Sequence, residues 1–246
     1  MVVQVTTLTE ADISGAVICI QQAFKDDPYN HWVFDKDNFS FERNAVSLAI
    51  RCRWGMSHAL FHVAKDTADP TGEVLGVACW LPPRAPQTVV SWHDWAGDWR
   101  LWFSQVRMNL WYGRGGLNVQ RYWIWKARQA EAQEQLWIDA KGYYFCNIVT
   151  VLPKAQGRGI GKSLFKYVTD QADREGVKCY LESSRAVPNM AIYQKMGFEL
   201  AREMECADDG AAITLYCMMR EPYDACNQCA EVCYEEKKRI AMEVAA

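Results

Sequence analysis

The run Val149-Thr150-Val151-Leu152-Pro153-Lys154-Ala155-Gln156-Gly157-Arg158-Gly159-Ile160-Gly161-Lys162-Ser163-Leu164-Phe165 constrains this 246-residue chain more than any other segment. Its first four residues are β-branched or aliphatic and read as a strand, and its last six read as the opening of a helix. The turn between them is rich in glycine, which removes the Cβ atoms that would keep a ligand from the backbone. The first N–H groups of the helix lack intrahelical partners and carry the positive end of the dipole, so they can hold an anion. A strand that feeds a helix through such a turn points to an α/β architecture.

Two phosphate-binding patterns compete for this turn. The P-loop needs glycine, four residues, then Gly-Lys-Ser or Gly-Lys-Thr. Position 156 is Gln, and Gly157 stands one residue too close to Gly161-Lys162-Ser163. Gln156-Gly157-Arg158-Gly159-Ile160-Gly161 instead matches the Gln/Arg-x-x-Gly-x-Gly/Ala loop of the Gcn5-related N-acetyltransferases. Downstream, the strand-like stretch 177–184 is followed by Asn189-Met190-Ala191-Ile192-Tyr193-Gln194-Lys195-Met196-Gly197-Phe198-Glu199. That segment is similar to the superfamily's Asn, Ala, Tyr, Gly-Phe signature, with the alanine one place early. The chain therefore resembles this superfamily, specifically over residues 143–199 and loosely throughout.

The resemblance implies acetyl-CoA as co-substrate. Backbone amides of Gln156, Gly157, Arg158, Gly159, Ile160 and Gly161 would hold its pyrophosphate. Val149, Thr150 and Val151 on the preceding strand, with Lys162 and Ser163 in the first helical turn, would complete the coenzyme contacts. Asn189 would hydrogen-bond the pantetheine arm, and the Tyr193 hydroxyl would reach the departing sulfur. Residue by residue a plainer role stays open: Asn189 can cap a helix and Tyr193 can simply pack.

Patterning gives the order of elements. Residues 2–6 read as a strand, and Thr9-Glu10-Ala11-Asp12 opens an amphipathic helix that Asp26-Asp27-Pro28 ends. A helix over 41–53 precedes strands over 59–64 and 73–81, joined as a hairpin. After an insertion come a strand over 143–151, a helix over 159–176, a strand over 178–183, a helix over 190–196, and strands over 198–204 and 211–219. This is the order of the acetyltransferase fold, an α/β (α+β) mixed central sheet splayed where the coenzyme enters, with helices on both faces. It predicts one domain over 1–246, with a helical insertion at 82–136 and a tail at 221–246.

The insertion holds seven of the eleven tryptophans. Trp92, Trp95, Trp99, Trp102, Val106 and Leu110 recur at helical spacing, which predicts an aromatic stripe packed on the core. Seven basic residues against two aspartates also make 84–128 locally basic. Aromatic and basic interleaving can serve single-stranded nucleic acid or a membrane surface. The periodicity favours a buried face with a solvated back, so neither partner is expected. Gly113-Arg114-Gly115-Gly116 separates this helix from a second, 119–136. The pair is expected to roof the acceptor pocket with aromatic walls suited to an apolar or ring-bearing amine.

Net charge is −3, which argues against a general nucleic-acid binder. No apolar run approaches the roughly 20 residues of a membrane-spanning helix, and the amino terminus lacks a signal-peptide layout, so a cytoplasmic protein is expected. The ten cysteines are too dilute for a disulfide scaffold. Cys226, Cys229 and Cys233 supply too few ligands for a closed zinc site, and no metal is expected; on a helix they would form one docking face.

Catalysis in the resembled superfamily is direct attack by a neutral amine on the acetyl thioester, which needs a base for the ammonium proton and an acid for the thiolate. Tyr193 is the expected acid, since a phenol near its ordinary pKa is protonated at neutral pH. Glu182, on the strand bordering the coenzyme cleft, is the candidate base, with substrate or arginine binding as its plainer role. Cys146 and Cys179 read as small buried hydrophobes, and His31, His58, His62 and His93 lie outside the motifs. The expected reaction is acetyl transfer to a primary amine of a small molecule. Protein amines, or a coenzyme-binding module without transfer activity, are the alternatives.

Overall fold

The computed structural model describes residues 2–84 and 91–223. The elements run β1 (Val3–Thr7), α1 (Ile13–Ala23), α2 (Pro28–Val33), α3 (Phe41–His58), β2 (Leu60–Asp66), β3 (Val74–Leu81), α4 (Trp92–Tyr112) and α5 (Val119–Leu136). They continue with β4 (Tyr143–Val151), α6 (Ile160–Glu175), β5 (Lys178–Ser183), α7 (Asn189–Gln194), β6 (Glu199–Asp208) and β7 (Ala211–Arg220). Thr9 and Asp12 form the capping box that starts the first helical segment. One short helix, α2, is absent from the sequence reading. Asp27-Pro28 ends α1, but the Asp27 carboxylate also accepts from the Tyr29 and Asn30 N–H groups, and Pro28 sits at N1. An acceptor at N-cap before a proline is itself a helix-start signal.

Among the described residues seven strands form one open sheet in the order β1-β2-β3-β4-β5-β7-β6. Every neighbouring pair is antiparallel except β4 with β5. That parallel pairing covers only Tyr143↔Lys178 to Cys146↔Leu181. Beyond it, β4 continues to Val151 beside β3, while Glu182 and Ser183 pair with β7 alone. The sheet is therefore split between its two central strands.

A bulge accompanies the split. Cys79 pairs with Ile148 and Trp80 with Cys146, so Asn147 is the extra residue on β4. It reverses the alternation of the strand. Tyr144 points to α6, where its hydroxyl donates to Glu175 at 2.6 Å. After the bulge the even-numbered Thr150 points the other way, to Cys19 of α1. Helices α6 and α7 thus cover one face of the sheet, and α1, α2, α3 and α5 cover the other.

The insertion folds differently from its expected packing. Helix α4 forms over the anticipated residues, but its aromatic stripe faces outward: Trp92 is 76% exposed, and Trp95, Trp99 and Trp102 are exposed as well. The inward face is the less apolar one. It docks on α3 through Gly97 against the His58 ring, through Ser47 donating to Gln105 at 3.3 Å, and through Arg43 donating to Asn109 at 2.8 Å. Periodicity located the helix and its stripe; which face meets the protein was decided by polar partners on α3. Helix α5 does lie on the sheet, against β6. Among the described residues no helix is long and apolar enough to cross a membrane.

Gly76 on β3 sets how closely α6 approaches the sheet. A Cβ there would lie 2.9 Å from Ile160 Cγ2, 3.0 Å from Leu164 Cδ1 and 3.2 Å from the Thr150 carbonyl. Ile160 and Leu164 are fully buried in the main apolar cluster, so neither can swing into solvent. Gly76→Ala should therefore force α6 outward at its first turn. Overpacking of this kind costs about 1–3 kcal/mol, to be read as a lower denaturant midpoint at unchanged m-value. An unchanged midpoint would show that α6 has slack at this position.

Candidate active site

The split opens an edge that the sheet cannot satisfy. Leu152 donates its N–H to the Leu75 carbonyl at 2.9 Å, toward β3. Polar groups alternate along an antiparallel strand, so Thr150 also turns to β3 while Val149 and Val151 turn toward the gap. The Val151 carbonyl is met there by the Gln156 amide at 3.2 Å. Thr150 lies between these two residues, with its side chain buried against α1.

The gap ends at the glycine turn. Gly157 and Gly159 have φ of 76° and 80°, left-handed values that favour glycine, and Gly159 is the N-cap of α6. A Cβ at either position would meet nothing within 4 Å, so the turn forms an open, backbone-lined cradle. The N–H groups of Ile160, Gly161 and Lys162 begin the helix and have no intrahelical acceptors. Ser163 already donates its N–H, at 3.0 Å, and its hydroxyl, at 3.3 Å, to the Gly159 carbonyl. Arg158 and Lys162 are exposed on the rim. This donor set suits a diphosphate.

Tyr193 sits on the α6 side of the split. Its ring packs on Phe165 and Phe198, with centroids at 5.6 and 6.4 Å. Burial raises its phenol above the ordinary value, and Cys146 and Asp27 add to the shift. Cys146 is the last β4 residue paired with β5, so the phenol stands where the strands part. Asn189 is the first residue of α7 and Pro188 is its cap. The Asn189 amide instead donates to the Ser183 hydroxyl, at the end of β5, at 3.3 Å. Asp27 accepts from the Ser184 hydroxyl at 2.6 Å and so ties α2 to the same strand end.

Glu182 lies on the opposite face, the first β5 residue beyond the last β4 pair. Its carboxylate accepts from Gln129 of α5 at 2.8 Å and from the Tyr180 hydroxyl at 3.0 Å. Burial raises its pKa above the ordinary 4.5, against the lowering effect of these donors, of Gln133 and of Lys126. The Lys126 ammonium donates to Gln129 at 2.8 Å and lies 4.9 Å from the Trp125 ring centre. Tyr29 and Tyr122 complete this aromatic wall, 5.1 and 5.8 Å from Trp125. The sequence reading singled out Glu182 but passed over Tyr29 and Gln129, which the fold gathers from α2 and α5. Of the expected roof, α5 closes over this lobe and α4 stands apart on α3.

Burial pushes the Cys179 thiol up to about 12 and the Cys146 thiol up as well, so both stay protonated. His62 is buried on β2, and His31 is exposed beside Lys25. His58, His93 and Asp94 bring potential ligand atoms within 4.8 Å of one another. The two imidazoles, however, are stacked 5.0 Å apart at 18°, so their in-plane lone pairs run parallel and do not converge on one ion. Cys226, Cys229 and Cys233 lie outside the described residues.

The acetyltransferase (GNAT) domain family matches residues 120–200, the stretch holding α5, the split, the glycine turn and α7. An uncharacterised N-acetyltransferase of Schizosaccharomyces pombe is 25% identical over 169 residues. The match covers 65% of this chain and 62% of that relative, so the chain spans less than two thirds of its length. Among solved structures, arylalkylamine N-acetyltransferase 2 of Aedes aegypti superposes with a TM-score of 0.58 at 14% identity, over 90% of this chain and 99% of its own. Histone acetyltransferase HPA2 and related acetyltransferase of Corynebacterium glutamicum superposes with 0.54 at 19% identity, over 91% and 98%. The family match thus falls on the segment that holds the split and the glycine turn, and the fold superposes on solved acetyltransferases over about nine tenths of the chain: residues 120–200 are similar to the acetyltransferase (GNAT) domain family.

Proposed function

We propose that the protein is an N-acetyltransferase that moves the acetyl group of acetyl-CoA to a primary amine of a small molecule. The observation that carries this reading is the placement of Tyr193 and Glu182 on opposite faces of one gap, with an anion cradle at its end. The pyrophosphate would rest on the amides of Gln156 to Gly161, with Lys162, Ser163 and Arg158 around it. The pantetheine arm would run along Val149 and Val151 toward Asn189, Thr150 serving as the spacer between them. The acceptor would enter from the α5 side. One unit comprising residues 1–246 would hold both substrates, and the free state of all seven described cysteines supports a reducing, cytoplasmic setting.

Each proton then has a destination. The amine nitrogen attacks the acetyl carbonyl carbon, a C–N bond forms, and the C–S bond breaks. Glu182 takes the ammonium proton; its raised pKa brings it nearer to working pH, where a general base is most effective. Tyr193 gives its proton to the thiolate and is replenished from solvent. Burial keeps that phenol neutral, and the same dry surroundings make the thiolate more basic.

The acceptor lobe favours a small amine. Tyr29, Tyr122 and Trp125 line it, and α5 closes over it. Lys126 places positive charge near Glu182, which disfavours a basic peptide. The solved structures of this fold include arylalkylamine and histone enzymes alike, so the fold does not choose between these classes. Thiol release from acetyl-CoA should be faster with aryl- or alkylamines than with basic peptides. The opposite ranking would transfer the assignment to protein amines, and no release with either would leave a coenzyme-binding module.

Gly159→Glu should place a carboxylate in the cradle and lower coenzyme A affinity strongly, with the fold retained. Unchanged affinity by calorimetry in a folded variant would refute the phosphate assignment.

Tyr193→Phe should bind acetyl-CoA normally and lose a factor of about 10²–10⁴ in turnover, the range of a positioned general acid. Wild-type turnover with chemistry rate-limiting would remove Tyr193 from that role. Glu182→Gln should abolish the acidic limb of the rate profile, a limb displaced above the ordinary carboxylate range. A raised acceptor KM with that limb intact would mean binding alone. Because the folded protein prefers Glu182 protonated, its contribution to stability is complete below pH 4.5 and is lost as pH rises through its raised pKa. Glu182→Gln should therefore melt above wild type at neutral pH.

A further inference from the structure

We propose that the outward face of α4 docks the protein on anionic phospholipid bilayers. Trp92, Trp95, Trp99, Trp102, Phe103 and Leu110 are all exposed on it, forming one strip along a helix of about 31 Å. A monomer in water rarely shows a contiguous apolar patch of this kind. The strip is built to stay in place. Gly97 lets α4 approach the His58 ring, His58 stacks between Trp54 and His93, and Met108 is buried beneath. The side of the helix opposite the strip is thus committed to α3, and the strip can turn only outward.

Charge and ring chemistry select the partner. Arg100 and Arg107 flank the strip on one side and line a shallow groove with Trp95, Trp99 and Phe103. Arg114 follows in the exposed loop, and of the acids on this helix Asp94 lies beside His58 toward α3 while Asp98 is exposed on the flank away from the arginines. Apolar aromatics bordered by arginines, lying flat along one helix, are the composition of an interfacial membrane anchor. Indoles suit the headgroup boundary because one edge carries an N–H and the rest is apolar. Nucleic acid is less well served, since the rings pack on each other: Trp92 stacks on Trp95 at 4.6 Å and 22°, and Trp95 with Trp99 and Trp99 with Phe103 form tilted pairs at 5.8 and 5.7 Å. A second copy packed antiparallel through this face would set Arg100 and Arg107 against their own counterparts. The buried-stripe expectation, which had argued against a membrane partner, fails on the same exposures.

The test is co-sedimentation of the full chain with vesicles of phosphatidylcholine alone or mixed with phosphatidylserine, with tryptophan emission followed in parallel. The expected result is binding to the mixed vesicles with a blue shift, weakened by salt. Arg100→Gln and Arg107→Gln should each lower partitioning about fivefold, as for one cationic side chain at an anionic surface. Trp95→Ser with Trp99→Ser should abolish it while circular dichroism and thiol release from acetyl-CoA stay unchanged. No binding to mixed vesicles would overturn the proposal, as would binding untouched by these substitutions. So would a dimer that the tryptophan substitutions dissociate, or a preference for single-stranded DNA over vesicles at physiological salt.

Discussion

Two parallel strands that share hydrogen bonds for four residues and then separate leave backbone amides that nothing else in the sheet can meet. In this protein that happens after Cys146 and Leu181, and the rest of the molecule is arranged around it. The gap cannot close by sliding the strands together, because each is held from its far side. β4 is bonded to β3 as far as Val151, and β5 is bonded to β7 as far as Ser183. Helix α6 bridges the two halves, tight against Gly76 at one end and clamped at the other by the bidentate pair of Arg220 with Asp173 at 2.7 and 2.8 Å. The unmet amides are therefore a fixed property of the fold, available to a ligand arm with matching polar groups.

The sheet also separates two chemical environments. On the α6 side Tyr193 is braced by Phe165 and Phe198 and surrounded by apolar groups. On the α5 side Glu182 sits among Gln129, Tyr180 and the Lys126 ammonium, a polar nest walled by aromatic rings. Burial raises the pKa of both groups, but it acts on them in opposite chemical senses. It keeps the phenol protonated and makes the carboxylate more basic. One sheet thus keeps two titratable groups of opposite character apart without a wall of its own.

Much of this was legible from residues alone. The glycine turn, the strand before it and the helix after it were written in local composition, since left-handed residues and apolar periodicity leave direct marks. The Tyr193 segment was legible for the same reason. Three things were not. Helix α2 was hidden because Asp27-Pro28 was read only as an ending. The lining of the aromatic-walled lobe around Glu182 comes from α2, α5 and β5, segments far apart in the chain whose meeting depends on the sheet order. The outward turn of the tryptophan stripe was invisible because periodicity gives the face of a helix but not its direction. That direction rests on a glycine, a serine pair and an arginine pair with α3.

The bulge at Asn147 carries a consequence for how this chain can change over time. Before it, even-numbered β4 residues face α6; after it, odd-numbered ones do, so Val151 meets Gly161 while Thr150 reaches Cys19. Pairing β4 with β3 without the bulge, Asn147 being kept in the ladder, would restore plain alternation and exchange every later side chain between the two layers. Thr150 would be carried toward α6, and Val151 would be driven into α1. Substitutions along this strand can drift within a size class, but an insertion or deletion leaves the later side chains in their layers only where a bulge is gained or lost with it. The spacing from Cys146 to the glycine turn is thus under a parity constraint that counts residues and bulges together.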